Sequence, residues 1–311
     1  MLADTRIAVA ESGGVEIFAH EGIRAISLTN SPYYAHAHPA ALDMYPRGNV
    51  SVVLSPVEGR VVGIRVVRTP RPKYFKPDEN EKLLLMANDS KLVTKILHIG
   101  PTVQVGEFVE TLSPIGKYVR SGFFNFWTGN HLHVEVRLAS DPIRARGSLP
   151  VAPALLGGDE DTAECEANPH NIPCEVVEAS TESLLLKPTI PFATRLSGYV
   201  GLRVTVGNAV PGLLDGGFPH YGFGGVLIPR DAKVSTGELV RIGDLIIGET
   251  VRRLMSDGGL PHHFIPVKFQ KGAADFTFRI QSNKRSLPVA RPCFPPVFAS
   301  ESSSPSTILA W

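Results

Sequence analysis

Between residues 131 and 138 the chain alternates strictly: His131, Leu132, His133, Val134, Glu135, Val136, Arg137, Leu138. A period of two fits a β-strand with unlike faces, because successive side chains leave a strand on opposite sides. Leu132, Val134, Val136 and Leu138 are expected to face a core, and His131, His133, Glu135 and Arg137 to line the other wall. Two imidazoles on one wall suit a metal hydrolase, in which one ring binds the ion and the other moves protons or charge beside it. Taken alone, a His-x-His pair is more simply two polar positions on a solvated strand, so the rest of the chain decides.

Short β-rich runs recur at 49–54, 60–67, 82–87 and 91–99, between turn signals. With 29 glycines and 26 prolines among 311 residues, and little helical periodicity, the chain is predicted to be mainly β. Asn88-Asp89-Ser90 is expected to be a hairpin turn, and Ser55-Pro56-Val57-Glu58-Gly59 another tight turn. Val105-Gly106-Glu107-Phe108-Val109, followed by Ile115-Gly116, has a counterpart in Gly237-Glu238-Leu239-Val240, followed by Ile247-Gly248. This reads either as a repeated hairpin unit or as coincident turn chemistry. Residues 245–255 read as a helix capped by Asp244 with Gly258 past its end, or as a strand, since Gly248 interrupts the helix.

Texture divides the chain into a first region at 1–150, a linker at 151–189, a second β-rich region of unassigned role at 190–299 and a Ser-rich tail at 300–311, expected to be disordered. A hydrophobic share of 43% and a charged share of 20% describe a globular protein. The net charge of +1 gives no pull toward nucleic acid. No run approaches the ~20 apolar residues of a membrane span. The first residues carry Asp4, Arg6 and Glu11 and no apolar core, so no secretory signal is read and a cytoplasmic location is expected. Cys165, Cys174 and Cys293 make no disulfide framework. Cys165 and Cys174 flank His170 but find no clear fourth ligand, so free thiols in a linker are favoured over half a zinc knuckle.

Two further segments carry chemistry. One holds Tyr33, Tyr34, His36, His38 and Asp43; the other ends a strand-like run at His98. Histidine and aspartate are ligands suited to zinc, and three of them leave a fourth position for water. The ion lowers the pKa of such a water and polarises a carbonyl. The helical His-Glu-x-x-His arrangement is absent from the sequence. Tyr33 and Tyr34 are expected to pack beside a strand rather than offer a phenol to an oxyanion, and Glu135 and Arg137 to pair with each other or touch substrate.

Together these segments resemble the lysostaphin-type zinc endopeptidases, which cut short peptide cross-links in bacterial cell walls. The resemblance covers roughly residues 34–150. The family's His-Leu-His-Phe-Glu is matched by His131-Leu132-His133-Val134-Glu135, and the aspartate of its His-x-x-x-Asp pair by Asp43. Ser55-Pro56-Val57-Glu58-Gly59-Arg60-Val61-Val62 resembles its Pro-Val segment, and His98, ahead of Val105-Gly106-Glu107, its strand-end histidine.

The resemblance implies a lysostaphin-like β-sandwich, the duplicated hybrid motif, and a zinc peptidase acting on a cell-wall-like peptide. It implies one zinc ion held by Asp43, His133 and a third histidine. His98 and His131 would be the catalytic pair that orients water, shuttles its proton and stabilises the oxyanion. The pattern departs at the first motif, where Pro39 stands four residues before Asp43. His38 is preferred over His36 as the third ligand, because a one-residue bulge is a smaller change than a three-residue insertion.

Two other classes compete. A peptidase-like module that has lost its metal would only bind peptides. Leu97-His98-Ile99-Gly100-Pro101-Thr102-Val103 also resembles the histidine segment of the glucose-specific phosphocarrier domain, but no second histidine follows Ser55-Pro56-Val57-Glu58-Gly59, and Asp43, His131 and His133 stay unexplained. In the second region the glycine-rich segment 216–225, with His220 and Tyr221, reads as a structural loop or a cover over a site, and His262-His263 as an exposed turn.

Overall fold

A computed structural model describes residues 6–154 except 49, 74, 79–80 and 126–127, strand residues 174–179 and 184–188, and residues 193–269 except 216–221, 230 and 252–263. Cys165, His170, His220, Tyr221, His262, His263, Cys293 and the tail at 300–311 lie outside the described residues.

The mainly β reading holds. In order, the first region carries β1 (Ile7–Ser12), β2 (Val15–Ala19), β3 (Ile23–Ser27), the four-residue helix α1 (Tyr34–Ala37), β4 (Leu42–Pro46), β5 (Val52–Leu54), β6 (Gly59–Val66), β7 (Lys82–Ala87), β8 (Leu92–Pro101), β9 (Phe108–Val109), β10 (Pro114–Tyr118), β11 (Leu132–Leu138) and β12 (Ala152–Pro153). A two-stranded sheet follows, β13 (Cys174–Ala179) with β14 (Leu184–Pro188), so the span expected to be linker carries strands. The second region has β15 (Ala193–Leu196), β16 (Tyr199–Val206), β17 (Val210–Asp215), β18 (Phe223–Leu227), β19 (Leu239–Ile242), β20 (Leu245–Thr250) and β21 (Phe264–Phe269).

Among the described residues all the strand pairs are antiparallel. The site-bearing sheet runs β3-β4-β11-β8-β7-β6-β9, with β10 joining β8 to β5, and a small sheet β12-β1-β2 packs beside it. In the second region β16-β17-β18-β21-β20-β19 closes on itself through a β16–β19 pairing, with β15 at the edge of β16. Leu202, Val204, Val206, Val240, Ile247 and Val267 are among the residues that fill this closed sheet. The first core is built on Leu42, Met44, Leu84, Ile96, Val134 and Val136 and continues into Tyr199, Leu213 and Phe264 of the second region. Tyr199 Oη donates to the carbonyl of Val9 at 2.9 Å.

The hairpin at Asn88-Asp89-Ser90 forms as expected. Asn88 N donates to Leu92 O, and Asp89 Oδ1 accepts from the Lys91 and Leu92 amides at 2.6 and 2.7 Å. Of the two readings for 245–255, the strand prevails over 245–250. A Cβ at Gly248 would lie 2.5 Å from Lys268 O, so glycine there lets β20 close against β21.

On β11 the core face is as expected for Leu132, Val134 and Val136, while Leu138 at the strand's end is 49% exposed. The opposite face is not solvated: His131, His133, Glu135 and Arg137 are 3, 6, 2 and 0% exposed. β11 lies between β4 and β8, and the segment carrying α1 and the turn at 139–148 supply partners for that face.

Candidate metal centre

Three elements bring the site together. β4 pairs with β11 so that Asp43 stands opposite His133. β8 pairs with β11 as far as Leu97 opposite His133, then joins β10 from Ile99 onward. At the point of exchange His98 has φ 66°, and β8 carries an extra residue relative to β7 between Ile96 and Ile99. That bulge lets Leu97 and His98 both line the same cleft, which regular alternation would forbid.

Asp43, 1% exposed, is the hub. His133 Nδ1 lies 2.8 Å and His36 Nε2 3.3 Å from its Oδ1, and His131 Nε2 lies 3.2 Å from its Oδ2. His36 Nε2 and His133 Nδ1 are 3.1 Å apart. Burial alone would raise the Asp43 carboxyl, but the facing charges of His131 and His36 and the hydrogen bonds from His131 and His133 hold it well below the usual carboxylate range.

The outward nitrogens of the two histidines nearest Asp43 Oδ1 are already committed. His36 Nδ1 faces Leu28 O at 2.8 Å, and a carbonyl only accepts, so Nδ1 carries a proton and Nε2 is the atom that presents a lone pair inward whenever the ring is neutral. His133 Nε2 bonds Glu135 Oε1 at 3.0 Å. Glu135 is in turn held by Lys95 Nζ at 2.7 Å, Arg137 Nη1 at 2.7 Å and the Ser148 hydroxyl. Burial opposes charge on His133, but hydrogen bonds to Asp43 and Glu135 override it and push the ring up to about 9. The expected pairing of Glu135 with Arg137 is thus present.

The other two histidines sit beside this trio. His131 Nδ1 donates to Gly129 O at 3.0 Å, and its ring stacks on Phe124 with centroids 4.5 Å apart. His98 Nδ1 donates to Glu81 Oε1 at 2.7 Å, leaving Nε2 with a lone pair. Burial is the main cause that lowers His98 to about 4; the Glu81 bond opposes it, and the neighbouring His131 and His133 add to it. The His98 and His131 rings are 4.8 Å apart.

The structure brings His36, rather than the expected His38, to Asp43 and His133. Residues 34–37 form one helical turn, so positions 36 and 38 point to nearly opposite sides. His36 is 1% exposed and faces Asp43. His38 stacks on Tyr34 at 3.9 Å and caps the turn, its Nδ1 bonding Tyr34 O at 2.9 Å. The seven-residue interval to Asp43 is absorbed by this turn rather than by a bulge. Tyr33 and Tyr34 are 44 and 37% exposed and stand at the cleft rim rather than packing beside a strand.

His36 Nε2, Asp43 Oδ1 and His133 Nδ1 form a triangle with edges of 2.8 to 3.3 Å. Ligand atoms about 2.0–2.1 Å from a tetrahedral zinc stand about 3.3 Å apart, so the donors fit one face of such an ion. Both histidines carry the outer hydrogen bond that metal-binding imidazoles ordinarily make. The trio lies in the floor of a cleft of about 690 Å³, whose walls include Tyr33, Phe123, Arg65, Arg68 and Lys73. Sequence reasoning missed Glu81, Lys95 and Phe124. Of these only Lys95, a charge inside an apolar run, left a local signal.

The N-terminal domain of a domain family of unknown function, DUF8155, matches residues 16–153. No curated protein matches the chain. Among solved structures, the catalytic domain of the antimicrobial peptidase lysostaphin from Staphylococcus simulans is 18% identical, with 40% of this chain and 86% of that one covered and a TM-score of 0.28. A zinc-containing peptidase from Vibrio cholerae is 22% identical, with 45% of this chain and 47% of that one covered and a TM-score of 0.25. The structure of LytU is 20% identical over 35% of this chain, which spans 66% of its length, with a TM-score of 0.26. The chemistry of the site therefore stands on its own geometry.

Proposed function

We propose that the chain is a zinc-dependent metallopeptidase that hydrolyses a peptide bond in the 690 Å³ cleft. The observation that carries this reading is the convergence of His36 Nε2, Asp43 Oδ1 and His133 Nδ1, each buried and each histidine's other nitrogen already bonded. Zinc held there supplies a Lewis acid and a water of lowered pKa.

The remaining roles fall to protein groups. His98 is neutral at pH 7, so its Nε2 can accept the proton of a water nucleophile while Glu81 steadies the ring. His131 has its Nδ1–H held by Gly129 O, which turns Nε2 toward the Asp43 carboxylate and the cleft, where a ring N–H would face a developing oxyanion. The aromatic rim at Tyr33 and Phe123 offers an extended peptide an apolar wall. A cell-wall-type peptide is the substrate class this reading implies.

The test is metal content followed by hydrolysis of cell-wall cross-link peptides. About one zinc per chain is expected in the wild type and none in His133→Ala. His131→Ala should keep zinc and lose most turnover. A reconstituted wild type without zinc overturns the reading, as does full turnover in His131→Ala.

A further inference from the structure

We propose that Asp215, on β17 of the second region, is a positioning residue for the metal centre. The inference rests on the metal reading above and assigns a task to the second region. Asp215 is fully buried, and its partners lie some 186–188 positions away in sequence, at the end of β3. Its Oδ1 accepts from Ser27 Oγ at 2.6 Å. Its Oδ2 accepts from the Leu28 amide at 2.8 Å, the Thr29 amide at 3.2 Å and Thr29 Oγ1 at 3.2 Å. Thr29 Oγ1 also donates to the Asp215 carbonyl at 2.8 Å.

Those three residues adjoin two of the proposed ligands. Ser27 stands opposite Asp43 in the β3–β4 register. The Leu28 carbonyl receives the His36 Nδ1 proton, and so fixes which nitrogen of that ring is left to face inward. β3 ends at Ser27, so the Leu28 and Thr29 amides lie past the strand, and Asp215 takes both. One carboxylate therefore holds the backbone that orients His36 and the strand end beside Asp43. Outer partners of this kind typically change metal affinity by about 10- to 100-fold.

A brace that merely joined two regions would add stability and leave the metal alone, so the readouts must separate these. Full-length Asp215→Ala and the near-isosteric Asp215→Asn are compared with Ile247→Ala, which opens a hole in the closed sheet away from the site. Zinc affinity is measured by chelator competition, and site geometry by the absorption of the cobalt-substituted proteins. In metal-free samples the ring nitrogens of His36 are followed by NMR. Asp215→Ala should weaken zinc at least ten-fold and alter the cobalt spectrum, Asp215→Asn should do so less, and Ile247→Ala should change neither. Wild-type affinity and spectra in folded Asp215 variants overturn the inference, as does an equal loss in Ile247→Ala. If wild type itself binds no zinc, a shifted His36 in the Asp215 variants keeps the brace and removes the metal reading. An unshifted His36 removes both.

Discussion

The hairpins at Gly106 and Gly237 are built alike and sit in regions with different interiors. Gly106 has φ 93° and Gly237 φ 86°. In each, the following glutamate reaches back to an amide: Gln104 N to Glu107 Oε2 at 2.9 Å, Ser235 N to Glu238 Oε1 at 2.8 Å. Each glycine amide donates across to a neighbouring strand at 2.8 Å, to Val61 O and to Thr250 O. What differs is the interior. The first region buries Asp43, Lys95, His98, His131, His133, Glu135 and Arg137. Among the described residues from 193 onward, Asp215 and Thr250 are the buried polar ones. Shared turn chemistry thus shapes both halves, and the difference between them lies in which side chains the strands carry inward.

The sharpest way to break the comparison is to remove charge from the first interior. Glu135→Ala takes the carboxylate from Lys95 and leaves Arg137 with the longer contact to Asp141, and should cost about 3–5 kcal/mol in chemical denaturation. Loss of under about 1 kcal/mol would mean the polar interior is held together by something else.

A pH series on metal-free protein probes Asp215, the one buried carboxylate among the described residues of the second region. Burial raises Asp215 to about 6 from an ordinary 3.8, against the hydrogen bonds of Ser27, Leu28 and Thr29. A raised carboxyl binds its proton more tightly in the folded state, so the stability it contributes is present below about 4 and lost as pH rises through 6. Relative to Asp215→Asn, wild type should lose about 2 kcal/mol between pH 4 and pH 7. A flat difference would show Asp215 ionised throughout.

Gly106→Ala and Gly237→Ala test the shared device itself. Both positions have positive φ and open space around the missing Cβ, so each should lose about 1 kcal/mol through backbone strain alone, by similar amounts. Unequal losses would separate the two hairpins. The smallest effect is expected from His38→Ala, with zinc affinity unchanged within about two-fold and stability within about 0.5 kcal/mol.

Local pattern carried much of the fold. The alternation of 131–138 is a strand because its period is written in adjacent residues, and the Asn88-Asp89-Ser90 turn carries its own hydrogen-bonding side chain. The match of Asp43 with His133 came from family resemblance, and the β4–β11 register sets the two opposite each other. The inward turn of His36 is not legible in the sequence, because a four-residue helix is too short to show a period. The φ of His98 follows from β8 exchanging β11 for β10, a property of the sheet rather than of the segment. Glu81 and Asp215 lie 17 and 188 positions from their partners, and nothing near them in sequence announces either contact.

The pairing of β12 with β1 has a mechanical side. Ala10 stands opposite Pro153 and Glu11 opposite Ala152, and the next link is Ala154 N to Val9 O at 2.9 Å. The chain thus enters and leaves the 7–153 stretch at one place and on one side. Pulling residue 7 away from residue 154 would load these links one after another, as a zip opens, and not all together.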